Sequence, residues 1–165
     1  MVGEVDADLP SALSRLVDDA LRLRMGAQLP RLDASPRELS ESLLAIRAGL
    51  DRMESLLSAA LQLRSLAARQ HTVLNIQVGD AWDEVAVRQR QSAARDEYSS
   101  AKERAAVTNL EVLDLRRVER DAHRRLDLCD EAVESIRLRH RGLQDVRADC
   151  LALIRMLQFE YSMER

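Results

Sequence analysis

Between residues 80 and 165 there is no proline, and Gly142 is the only glycine. A stretch of that length, rich in Ala, Leu, Arg and Glu, is confined to helix, because those residues lose little side-chain freedom there and Pro and Gly are what interrupt it. Most of the five glycines and three prolines lie in the N-terminal third. The rest of the chain follows from asking what such a helix packs against.

The only aromatic residues are Trp82, Tyr98, Phe159 and Tyr161, so aliphatic side chains have to build the core. At 165 residues the chain is long enough for one such core. The expected fold class is all-α: an antiparallel helical hairpin or coiled coil with one very long C-terminal helix and a short N-terminal one. Residues 1–34 form a tail and the short helix, and 35–165 a single structural unit.

The first ten residues have no periodicity and are expected to fray. Leu13, Leu16, Val17, Ala20, Leu21 and Leu23 then predict an amphipathic helix from Ser11 to about Met25, stopped by Gly26 and Pro30. Ser35-Pro36-Arg37-Glu38 combines an N-cap serine, a first-turn proline and a glutamate placed to close a capping box. From there Leu39, Leu43, Ile46, Leu50, Met53, Leu57 and Ala60 advance in steps of four and three, the seam of a coiled coil. The pattern weakens at Gln70-His71-Thr72, and Gly79-Asp80 reads as a helix end followed by a new N-cap.

A second seam runs through Val87, Gln91, Ala94, Tyr98, Ala101, Ala105, Thr108, Val112 and Leu115. It strengthens at Ala122, Leu126, Cys129, Val133, Ile136, His140, Leu143, Val146, Cys150, Leu153 and Leu157. Consecutive steps of three around Leu143 resemble a stammer. As one helix from Asp80 to Glu160 this would measure roughly 120 Å at 1.5 Å per residue. Capping-box spacings at Ser100–Glu103 and Thr108–Glu111 mark the places where it would break instead.

A turn at Gly79 sets Leu39 opposite Val118 and Leu61 opposite Asp96 or Glu97. That register leaves residues 120–160 without a partner in the same chain except the short first helix, although the apolar stripe is densest there. Burying large side chains yields roughly 1.5 to 3 kcal/mol each, so self-association as a dimer is expected through Val133, Ile136, His140, Leu143, Cys150, Leu153 and Leu157.

Chemistry-bearing patterns are sparse. His71, His123 and His140 belong to no ligand motif, the cysteines lack zinc spacing, and His140 reads as a packing residue in the seam. There is no nucleophile elbow, no glycine-rich phosphate loop and no Glu-x-x-His as in di-iron bundles. No catalytic, cofactor-binding or metal-binding residue is predicted, and the chain is read as a non-enzyme. Cys129 and Cys150, about 30 Å apart on one helix, are read as reduced core residues, with a bridge between two copies as the minor alternative.

The net charge of −3 disfavours a dedicated nucleic-acid binder. Between Glu111 and Arg141 eight arginines are matched by eight carboxylates, the composition of a solvated helix with intrahelical pairs. Arg117, Arg120 and Arg124 nevertheless share a face, so they are the candidates for contact with a phosphate backbone or an acidic partner. Trp82 is read as a plug at the hairpin end, packed on Leu74 or Ile76, or as a partner anchor. The aromatic end at Phe159 and Tyr161 is read as a dimer cap or docking point.

No membrane span or export signal is visible, so the cytoplasm is the expected location. Of 25 basic residues Lys102 is the only lysine, a bias expected of a GC-rich bacterial genome. The functional expectation is a coiled-coil structural or adaptor protein that self-associates and scaffolds a protein partner. The alternative is a nucleic-acid-associated accessory protein of phage or mobile-element type.

Overall fold

The structure, a computed structural model, describes residues 8–26, 34–94 and 101–163. The described chain forms three helices and no strand: α1 (Leu9–Gly26), α2 (Pro36–Ala94) and α3 (Ala101–Met163). The expected fraying of the first residues, the stop at Pro30 and the seam position Tyr98 lie outside the described residues.

α1 starts two residues earlier than its periodicity predicts. Pro10 sits in its first turn, where a missing N–H costs nothing, and the Ala12 amide donates to the Asp8 carbonyl at 2.8 Å. α2 opens with the capping box its sequence announces. The Glu38 amide donates to Ser35 Oγ at 3.3 Å, and the Ser35 amide donates to Glu38 Oε2 at 2.7 Å. Two otherwise orphaned donors are thereby satisfied reciprocally.

The turn predicted at Gly79-Asp80 does not occur. α2 continues through both residues to Ala94, and α3 begins at Ala101 instead of Asp80. One interior glycine costs a helix only about 1 kcal/mol, and the covered face carries on past it. Ala67 and Val85 are buried, and His71, Leu74 and Val78 between them are half-buried at steps of four, three and four. Val87, which the expected second seam places inward, is instead 50% exposed. The start of α3 fits the Ser100–Glu103 spacing: Glu103 lies in its first turn, although Ser100 itself is outside the described residues. α3 has no break at Thr108.

The chain divides into two compact units, one taking in residues up to Gln62 together with those from Cys129 onward, the other Leu63–Leu128. In the first unit all three helices share a core. Ala20 of α1, Ile46, Leu50, Met53 and Ala60 of α2, and Val133, Ile136, Leu143, Val146 and Cys150 of α3 are buried together. Leu16, Val17 and Leu23 of α1 pack onto that cluster, so the short helix is a second neighbour for α2 beside α3.

The partners are shifted from the expected register. A Cβ added at Gly49 would stand 3.3 Å from Leu143 Cδ2, and Glu54 Oε1 lies 3.9 Å from His140 Nε2. Leu39 lines a groove with Ile154 and Leu157 rather than meeting Val118, which is 51% exposed. α2 running on to Ala94 instead of ending at Gly79 accounts for the displacement.

Candidate interaction surface

The residues predicted for self-association are largely spent inside the chain. Val133, Ile136, Leu143 and Cys150 are buried, and His140, Leu153 and Leu157 are half-buried. The premise that at most the first helix covers them within the chain is corrected: α2 as well as α1 packs on this stretch of α3 in the first unit. Their seam spacing was legible, and the identity of what covers it was not. Cys129 and Cys150 are both fully buried and in no disulfide, and burial pushes the Cys150 thiol up from its ordinary value. His140 Nε2 is buried and makes no hydrogen bond.

In the second unit His71 and Glu119 meet at 3.0 Å with side chains about one-fifth exposed (23% and 22%). The His71 ring also packs against that of His123, centroid to centroid 5.0 Å. His123 in turn lies 3.8 Å from Asp127. This chain of contacts joins α2 to α3 through polar groups where the sequence offers few large apolar ones. Among the described residues no group of three or more His, Cys, Asp or Glu is placed to hold a metal.

The arginine candidates stand exposed on α3, each engaged locally. Arg117 pairs with Asp114 at 3.3 Å and Arg124 with Asp121 at 3.6 Å. Arg120 donates to the Arg116 carbonyl at 3.3 Å. Trp82 sits in the interior of α2, not at a helix start, and the Arg116 guanidinium lies 4.6 Å from its ring centroid. This cation–π contact replaces the expected plug on Leu74 or Ile76, Ile76 itself being 57% exposed. Phe159 is 66% exposed, and the side chain of Tyr161 is outside the described residues.

An open groove of about 790 Å³ lies in the first unit between α1 and α2. Leu23, Ile46, Gly49 and Leu143 form its apolar floor, and Asp19, Arg22 and Arg52 also line it. A smaller one, about 370 Å³, is lined by Pro36, Leu39, Ile154 and Leu157.

An uncovered apolar stripe lies on α2 in the second unit. Leu66, Val73, Ile76 and Val87 are 53%, 53%, 57% and 50% exposed. With Arg69, Asp80 and Glu84 they advance in steps of three, four, three, four, four and three from residue 66 to residue 87, a second stripe beside the covered one at Ala67, His71, Leu74, Val78 and Val85. Sequence reading missed it because the helix was ended at Gly79, which cut the stripe in two.

Among the described residues no helix is long and apolar enough to cross a membrane. Comparison with known proteins gives no matching family model, no matching curated relative and no matching solved structure.

Proposed function

We propose that this chain is a non-enzymatic coiled-coil scaffold or adaptor, an antiparallel helical hairpin that holds protein partners through an uncovered helix face. The observation that carries this reading is the stripe of Leu66, Val73, Ile76 and Val87, half or more exposed at coiled-coil spacing. The hairpin arrangement is supported in each unit by partner numbers that fall on α3 as they rise on α2. In the first unit Gly49 faces Leu143 and Glu54 faces His140; in the second His71 faces Glu119 and Trp82 faces Arg116.

The α3 residues expected to carry self-association are buried or half-buried, so the partner-binding face of this reading is that of α2. A cytoplasmic setting goes with it. Nucleic-acid association through Arg117, Arg120 and Arg124 is the less favoured alternative, because Asp114 and Asp121 already neutralise two of the three arginines at short range.

The test is a photoreactive amino acid placed singly at Val73, Ile76, Arg117 or Arg120 in the full chain in cells. Covalent adducts with protein from positions 73 and 76 are expected. Adducts with nucleic acid from 117 and 120, with none from 73 or 76, would replace this reading with the alternative.

A further inference from the structure

We infer that the occupant of the exposed α2 stripe is a second copy of this chain, its α2 lying antiparallel about a two-fold axis between Ile76 and Gln77. The inference rests on the scaffold reading above and adds the partner and the register.

A two-fold interface must be self-complementary, so that residue i meets residue j and j meets i. Reversing the stripe about that axis places Leu66 against Val87 and Arg69 against Glu84, with Ile76 beside its own copy. The two apolar ends thus coincide, and the basic position falls on an acidic one. Val73 falls against Asp80, a polar step that costs affinity but lies one turn from the axis. Glu84 reaches Arg88 on its own helix at 2.9 Å, with both side chains more than half exposed; a carboxylate has acceptor sites left for Arg69 of the second copy.

The composition of the second unit supplies the driving force. Its buried apolar residues among those described are Ala67, Val85, Val112 and Ala122. Among the described residues no leucine or isoleucine of this unit is fully buried, Leu74, Leu115 and Leu126 being half-buried, and the stability of long helices comes mainly from packing of apolar faces. In the first unit α1 adds a third layer. In the second, α2 of another copy would do so, since a helix with two apolar stripes is built to sit between two neighbours.

The experiment uses the purified full chain. Light scattering coupled to size exclusion is expected to give a mass of two chains. Arg69→Glu alone and Glu84→Arg alone each set like charges against one another and are expected to weaken dimerisation about tenfold, with helicity unchanged by circular dichroism. The double variant Arg69→Glu/Glu84→Arg restores the dimer. Ile76→Cys yields an interchain disulfide on mild oxidation where the wild type yields none.

A monomeric wild type, or a dimer that neither charge swap weakens, overturns the inference. The two levels separate cleanly. Adducts from positions 73 and 76 with some other protein, together with a monomeric purified chain, overturn the second copy and leave the scaffold reading standing. No protein adduct at either position overturns both.

Discussion

The imidazole of His71 on α2 stands 3.0 Å from the Glu119 carboxylate on α3, forty-eight residues along the chain. This pair joins the two helices of the second unit through polar groups. Its exposure of about one-fifth on each side limits what it contributes, because solvent screens such a contact. A double-mutant cycle with His71→Ala and Glu119→Ala is expected to give a coupling of about 0.5 to 1 kcal/mol in chemical denaturation. Strict additivity would mean that the contact adds nothing to stability.

Gly79 tests the continuity of α2. Nothing lies within 4 Å of the position a Cβ would take, and the residue is in a helix interior. Gly79→Ala is therefore expected to stabilise the protein by about 1 kcal/mol in thermal or urea unfolding. At a helix-ending glycine with a left-handed backbone the same change would destabilise it.

The two other helical glycines with neighbours respond differently. A Cβ at Gly49 would meet Leu143, a fully buried side chain, at 3.3 Å. Gly49→Val is expected to cost about 1 to 3 kcal/mol by overpacking. At Gly142 the obstacle is Arg24, whose Nε would lie 2.8 Å away. That long side chain can swing aside, so Gly142→Ala is expected to be neutral or mildly stabilising in the same unfolding assay.

These glycines show how much of the architecture was readable beforehand. The capping box at Ser35–Glu38 and the seam from Leu39 to Ala60 were legible because each is local, set by spacing within one helix. The burial of Cys129, Ile136, Leu143 and Cys150 at seven-residue spacing was legible for the same reason. Where α2 ends was not, since a lone Gly79 and the polar run Gln70-His71-Thr72 carry the local signature of a helix end. Tertiary packing overrides it: His71 finds Glu119 across the helix pair, and half-buried Val78 precedes the glycine on the same covered face. That single misplaced turn displaced the partners of α3, hid the outward stripe of α2, and assigned to a second chain a surface that α1 and α2 already cover.

Burial of Cys150 gives a pH dependence. Desolvation raises its thiol above the ordinary value of 9.0 in the folded protein, while the unfolded chain titrates near that value. The fold therefore favours the neutral thiol, and its contribution is fully present below pH 9. It declines as the pH rises past 9, because only the unfolded state then gains by deprotonation. Urea melts of wild type and Cys150→Ala across this range are expected to converge as pH increases. The thiol of the folded protein is also expected to react slowly with a disulfide reagent until the chain is unfolded.

The core of the first unit should be intolerant of truncation. Ile136 and Leu143 are both 0% exposed and belong to a cluster drawn from three helices. Ile136→Ala and Leu143→Ala are each expected to cost about 2 to 5 kcal/mol in urea unfolding. Val73→Ala and Ile76→Ala, on the outward face, should change the stability of the dilute protein by less than about 0.5 kcal/mol.

Amide hydrogen exchange of the wild-type chain, followed by mass spectrometry in dilute and in concentrated solution, tests most directly which face of this protein is available to others. The account predicts that exchange slows with concentration in peptides covering residues 66–87, and that peptides covering 133–157 are equally protected at both concentrations. A concentration-dependent gain confined to 133–157, with none at 66–87, would contradict it.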